Sequence, residues 1–343
     1  MSRGWARALP LAAVLAVACG GGGRTPVVVY SPHGRDLLGA LERAYEAAHP
    51  EVDVRWLDMG SQEVYDRVRS EKANPQCDVW FGGPDTIFAR GAEENLLAAF
   101  RPTWANAVPE PSRGPRDLYF GLYRTLPVLL YNSAAVAESD APADWDDLLL
   151  PRWTGKALIR DPLASGTLRT VWGMILARSL AETGSEARGF EWLRRLDAQT
   201  KEYTANSALL FEKLKRQEGL VSIWELSDVL LARQHGAPFG FRLASSGTPV
   251  INDAIALVAG AAHGAQARAY IEWAGSVEAQ EIAAREAFKL PARTDLAAES
   301  LPEWTRPVLA ALRPAEYDRA LVARETPRWM SEWDRSVRGS ARH

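Results

Sequence analysis

Between residues 26 and 90 a strand, a loop and a helix follow one another three times, at a spacing of about 25 residues. The first strand is Pro26-Val-Val-Val-Tyr30, after which Leu37, Leu38, Leu41, Tyr45 and Ala48 recur at helical spacing. Val52, Val54 and Trp56 alternate as a second strand, and Gly60-Ser61 opens a helix carrying Val64 and Val68. Asp78-Val-Trp-Phe81 is the third strand, running through Gly82-Gly83-Pro84 into a helix with Ile87 and Phe88. This pattern predicts an open, largely parallel sheet with helices on its faces. In such sheets ligands bind beyond the carboxyl ends of the strands. The loops that matter are therefore 31–34, 59–62 and 82–86.

The middle of the chain repeats the theme. Residues 119–131 form an extended, aromatic and β-branched run interrupted by Pro127. Residues 156–160 predict a strand, and Ser165-Gly166-Thr167 opens a helix through Leu168, Val171, Trp172, Ile175 and Leu176. A strand over 220–224 ends at Glu225 and runs into a helix capped by Ser227 or Asp228. Residues 249–258 predict a strand returning to the first lobe, and helices follow at 265–274 and 277–287, with amphipathic segments after Pro302. A second lobe inserted into the first accounts for this order. Lobe 1 is expected over 26–122 plus about 250–292 and lobe 2 over 123–249, with C-terminal helices in 293–343 packing across both.

The N-terminus reads as a targeting segment. Arg3 and Arg7 precede a short apolar run over 8–17, broken by Pro10 and too short to span a bilayer. Residues 1–18 are expected to be a signal peptide. Leu15-Ala16-Val17-Ala18-Cys19-Gly20 resembles a bacterial lipobox, although Ala16 stands where leucine is commonest. Cys19 would then carry lipid, residues 19–25 would form a glycine-rich tether, and the folded part would sit in the periplasm or at the cell surface. An ordinary cleaved signal with a plain cysteine is the alternative. Cys19 and Cys77 are the only cysteines, so an exported chain of this length relies on its core and not on disulfides. The net charge of −3 becomes about −5 without Arg3 and Arg7, and no basic stripe points to nucleic acid.

At this point the residues resemble a known group. Val27-Val-Val-Tyr30-Ser-Pro-His33, Asn74-Pro-Gln-Cys-Asp78-Val-Trp-Phe-Gly-Gly83 and Tyr119-Phe-Gly-Leu-Tyr-Arg124 carry the likeness. Leu130-Tyr131-Asn132, Trp145-Asp-Asp-Leu148, Pro151-Arg-Trp-Thr-Gly155-Lys156, Asp161-Pro-Leu-Ala-Ser165-Gly-Thr167 and Gly247-Thr-Pro-Val250 extend it. The chain resembles bacterial ABC-transporter substrate-binding proteins of the ferric-ion and organophosphate branch, which have the type II periplasmic-binding fold. The resemblance implies an α/β protein of two lobes, each a mostly parallel sheet flanked by helices, joined by two hinge strands. It implies a monomer that closes on a small solute because the closed state gains second-lobe contacts, and that presents this form to ABC permease subunits in the membrane. A ligand sensor of the same fold is the alternative role.

Iron-binding members use adjacent tyrosines on the second lobe. Here that strand reads Ser222-Ile-Trp224-Glu225-Leu226, and Gly82-Gly83 stand where a carboxylate ligand is wanted. His33 and Glu225 alone are too few for tight ferric binding, so no metal or cofactor is expected, with a ferric-iron-binding protein of the same fold as the alternative. Ser165, Gly166 and Thr167 end a strand and begin a helix, where hydroxyls and free N–H groups meet a positive helix end. Ser31 and Ser61 hold comparable positions in the first lobe. Together these residues favour an anionic, phosphate- or phosphonate-bearing organic solute, with charge-assisted bonds from Arg124 and Arg160. Each serine taken alone also reads as a plain N-cap. His33 reads as a ligand contact or a capping side chain, and Glu225 as a ligand contact or a salt-bridge partner. Trp80, Tyr123 and Trp224 are candidates to wall the cleft, against a core role. Asp253 would meet an amino group, as an aminoalkylphosphonate or a polyamine would require.

An exported hydrolase fits least. The chain has no Gly-x-Ser-x-Gly elbow, P-loop or His-Glu-x-x-His motif, and its five histidines show no metal-ligand spacing.

Overall fold

The computed structural model describes residues 23–339. The expected signal peptide and Cys19 lie outside these residues. In chain order the strands are β1 (Thr25–Ser31), β2 (Val52–Asp58), β3 (Val79–Pro84), β4 (Leu97–Ala98), β5 (Phe120–Thr125), β6 (Pro127–Asn132), β7 (Ala157–Arg160), β8 (Thr200–Thr204), β9 (Val221–Glu225), β10 (Phe239–Arg242) and β11 (Ile251–Val258). One sheet has the order β2-β1-β3-β11-β4, with β5 also paired to β11; the other has the order β10-β6-β9-β7-β8. Thr25, expected to close the tether, already pairs with Val52.

The two-lobed α/β architecture is the one expected, but the sheets are mixed, not mostly parallel. β1 runs parallel to β2 and β3, and β7 runs parallel to β8 and β9, as βα units require. The strands next to the passages between lobes run the other way: β11 is antiparallel to β3, β4 and β5, and β6 to β9 and β10. A strand that leaves or re-enters a lobe joins its sheet without a crossover helix, so it is free to run against its neighbours.

The first passage is a single residue, Leu126, between β5 and β6. Pro127 opens β6, a strand position where its missing N–H is tolerated. The expected boundary between residues 122 and 123 falls inside β5, because Tyr123 and Arg124 pair with Asp253 and Asn252 of β11. The first lobe's sheet therefore extends to Thr125. The return passage runs over 243–250 into β11.

The alternation of the first strands sorts the core. Val27, Val29 and Phe81 pack with Leu37, Leu38, Leu41 and Ile271 on one face. Tyr30 and Trp80 pack with Val64, Val68, Ile87 and Phe88 on the other. The second lobe has its own core around Leu129, Ile159, Val171, Trp172 and Ile223. The C-terminal helix Arg319–Ser336 adds Val322, Trp329, Met330 and Trp333 to that core, while Arg319 bonds Asp85 of the first lobe at 2.6 Å. Gly173 allows this docking, since a Cβ there would lie 2.6 Å from Val322 Cγ1.

Candidate ligand-binding cleft

The carboxyl ends of strands from both lobes face a cavity of about 510 Å³. It continues at its mouth into a second space of about 360 Å³, with Asp58 and Asp228 lining both. Lobe 1 supplies Pro32, His33, Asp58, Gly60, Ser61, Glu63, Gly83, Thr125 and Asp253; lobe 2 supplies Arg160, Ser165, Thr167, Asn206, Ser207, Trp224, Glu225 and Asp228.

Several helices begin at this cavity, among them one from each lobe whose N-terminal ends differ in their capping. Helix Ser61–Ser70 has Gly60 at its N-cap and no side-chain cap, so its first-turn N–H groups have no side-chain partner. Helix Ser207–Lys215 is capped by Asn206, whose side chain accepts from Leu209 N–H at 2.8 Å. Arg160, at the end of β7, is buried and donates to the Thr204 carbonyl at 3.2 Å. Its Nη2 would stand 3.6 Å from a Cβ placed on Gly60, so the guanidinium of one lobe reaches the helix end of the other. Burial lowers its pKa from the ordinary arginine value.

Carboxylates dominate the rest of the wall. Burial raises the Asp58 carboxyl, with Asp228 and Glu63 adding like charge across the mouth. Trp224 Nε1 donates to Asp228 Oδ2 at 2.8 Å, fixing that carboxylate. Thr167 Oγ1 donates to Glu225 Oε1 at 2.5 Å. Burial, and next the charge of Asp228, push the Glu225 carboxyl up to about 7 despite opposing effects from Lys289 and Thr167. Asp253 is buried in the floor, accepting from Gly83 N–H and from Thr125 Oγ1 at 3.1 Å. It lies 3.4 Å from His33 Nε2 without hydrogen-bond alignment, and burial keeps that imidazole neutral by lowering its pKa well below the usual range.

Of the residues singled out in the sequence, His33, Ser61, Gly83, Arg160, Ser165, Thr167, Trp224, Glu225 and Asp253 line the cavity. Ser31 does not: it is wholly buried, and its Oγ accepts from His33 N–H at 3.2 Å, a local turn bond. Gly82 lies under the His33 ring, with φ +102°, and serves close packing. Gly166 sits at the seam, its N–H bonded to Ser61 Oγ at 3.0 Å, so the donor is spent on closure. Ser165 also accepts from Leu168 N–H, the ordinary capping bond. Tyr123 points into the lobe 1 core beside His33 and Phe81. Arg124 is directed away from the cleft and donates to the Pro291 carbonyl at 3.0 Å. Trp80 stacks on Phe88 in the core. Neither Ser227 nor Asp228 caps its helix; Glu225 is the N-cap and makes no side-chain cap bond.

Asp58, Glu63, Asn206, Ser207 and the buried Lys289 behind Glu225 were not anticipated. Strand β8, which ends at the Asn206 loop, has only five residues of mixed polarity, too weak a pattern to announce the loop after it. Among the described residues no three His, Cys, Asp or Glu side chains gather to hold a metal ion, and no helix is long and apolar enough to cross a membrane.

Comparison with known proteins agrees with this geometry. Residues 27–289 match the family model described as "Bacterial extracellular solute-binding protein". The chain is 28% identical over 317 residues to the "Probable ABC transporter periplasmic-binding protein y4fP" of Sinorhizobium fredii, covering 91% of this chain and 86% of the relative. It is 28% identical over 252 residues to the "Putative 2-aminoethylphosphonate-binding periplasmic protein" of Salmonella typhimurium, 71% of each chain. Among solved structures, AfuA from Actinobacillus pleuropneumoniae, with fructose-6-phosphate bound, superposes with a TM-score of 0.79 at 23% identity, over 92% of this chain and 98% of that one. Iron-bound HitA from Pseudomonas aeruginosa gives a TM-score of 0.73 at 19% identity, over 90% and 99%. The two lobes, the cleft between them and the match over most of the chain lead to one conclusion: this chain belongs to the bacterial extracellular solute-binding proteins and is the solute-binding component of an ABC importer.

Proposed function

We propose that the solute is a small organic phosphate or phosphonate that also carries an amino group. The observation that carries this reading is the meeting of Arg160 from lobe 2 with the uncapped N-terminus of helix Ser61–Ser70 from lobe 1. Guanidinium, helix-end N–H groups and nearby hydroxyls suit a tetrahedral oxyanion, and holding it from both lobes favours closure. The carboxylates of the cavity argue for the other half of the molecule. Asp58, Glu63, Glu225 and Asp228 would repel a purely anionic solute, and an ammonium group among them removes that cost. A relative whose name specifies 2-aminoethylphosphonate supports the same class. In this reading the mature protein is a monomer tethered through acylated Cys19.

Calorimetry with 2-aminoethylphosphonate, ethylphosphonate, fructose 6-phosphate, putrescine and Fe³⁺ tests the ligand class. The aminophosphonate should bind tightest, and Arg160→Met should weaken it by about 2–3 kcal/mol, some 30- to 150-fold. Tight Fe³⁺ binding with a visible charge-transfer band, or affinity indifferent to Arg160, would overturn the reading. Cys19→Ser should release the protein from the membrane fraction.

A further inference from the structure

Lys289 lies outside the cavity wall, yet its ammonium is the cation nearest the buried carboxylates of the cleft floor. It follows helix Val277–Glu286 and is 3% exposed. Its backbone is anchored in lobe 1: Lys289 N–H donates to the Ala283 carbonyl at 3.1 Å, and Leu290 and Ala292 bond β5 through Arg124 and Leu122. Its side chain crosses to lobe 2, donating to Ser227 Oγ at 3.2 Å and standing 4.0 Å from Glu225 Oε2. Glu225 in turn accepts from Thr167 on the ligand-facing side. A lobe 1 cation is thus linked through one lobe 2 carboxylate to the helix that opens on the cavity.

We propose that Lys289 is a positioning residue that favours the ionised form of Glu225 and keeps it oriented toward Thr167, so that the carboxylate is available to the ligand's amino group. This rests on the aminophosphonate reading only for what the carboxylate meets. The groups facing Glu225 are Lys289 from the segment after Val277–Glu286, Asp228 from its own helix, Asp253 from β11 and the Thr167 hydroxyl from helix Gly166–Thr183. Lys289 is the only cation in this set; the other charged members are acids, and burial also opposes ionisation. Without the ammonium, Glu225 would accept a proton at higher pH and stop serving as a cation partner. Ser227 would lose its donor as well.

Infrared titration of the unliganded protein reads the carboxylic-acid band directly, with Glu225→Gln identifying it by loss. In Lys289→Met the band should persist to higher pH, by at least tenfold in proton activity, about one pH unit. Lys289→Arg should restore the original midpoint. Lys289→Gln, which keeps a donor for Ser227 without the charge, serves as a second variant should Lys289→Met fail to fold, and should behave like it. An unmoved midpoint in the charge-free variants overturns the proposal, since a merely structural lysine would lower stability without shifting this titration. In parallel, the affinity for 2-aminoethylphosphonate should fall below the same midpoint, and that pH edge should rise in Lys289→Met. Should the probe bind with no edge that follows Lys289, the link to the ligand is refuted. Should it not bind at all while the infrared midpoint moves, the ligand class fails and the role of Lys289 in holding Glu225 stands.

Discussion

Ser61 Oγ accepts a hydrogen bond from Gly166 N–H at 3.0 Å, joining the first turn of a lobe 1 helix to the first turn of a lobe 2 helix. Each partner begins a helix at the cleft, so the contact that closes the lobes lies beside the groups that face the solute. Pro84 completes the seam by packing against the same glycine.

A side chain at Gly166 should therefore act on closure. A Cβ there would meet Pro84 Cδ at 2.6 Å and Ser61 Oγ at 2.8 Å, both from the opposite lobe. Gly166→Ala is expected to weaken ligand binding about tenfold or more, because only the closed state carries the clash. Its unliganded melting temperature should stay within a few degrees of the parent, each lobe's core being untouched. Calorimetry and small-angle scattering with and without ligand check this; unimpaired compaction on binding would contradict it.

Gly82 is constrained within lobe 1 instead. Its φ of +102° disfavours any side chain, and a Cβ would lie 2.6 Å from His33 Nε2 and 2.8 Å from Pro32 Cδ. Both neighbours are held, the histidine between Phe81 and Tyr123. Gly82→Ala should cost about 2–4 kcal/mol of folding stability, measured by urea denaturation of the unliganded protein.

The Glu225 carboxyl gives stability a pH dependence of known sign. Its folded value, raised to about 7, lies above the ordinary glutamate range, so the folded state binds the proton more tightly than the unfolded chain does. Its contribution is fully present below the unfolded value of about 4.3 and is lost as pH rises through about 7. Glu225→Gln should flatten the fall in urea midpoint across that window. A parent profile that rises there and is matched by the variant would contradict this assignment.

The strand-loop-helix series was legible because burial of alternating faces leaves a periodic trace: Val27, Val29, Val52 and Val54 mark strands, and Leu37, Leu38 and Leu41 a helix face. The loops after those strands were legible as the ligand side for the same reason, and His33, Ser61, Gly83, Ser165, Thr167 and Glu225 do line one cavity. Tyr123 and Arg124 were misplaced because local pattern does not say how far along a crossing strand the cleft begins: Thr125, at the end of β5, lines the cavity and the two residues before it do not. The direction of a crossing strand is likewise absent from local pattern, so the antiparallel run of β6 and β11 emerged only on pairing. Asp58 and Asp228 stand 170 positions apart in the chain and share a cavity mouth. No short-range periodicity relates two such residues.

The amino-acid sequence by itself determined the two-lobed α/β fold, the order of its longer strands and the loops that end at the cavity, since these follow from local periodicity and turn chemistry. Tertiary structure alone decided what that cleft is electrically. Arg160 against the Gly60 helix end, the carboxylates of Asp58 and Asp228 at the mouth, and Lys289 behind Glu225 all depend on residues brought together from opposite lobes. Charge interactions and burial act through distance in space, and distance in space is set only when the lobes pack.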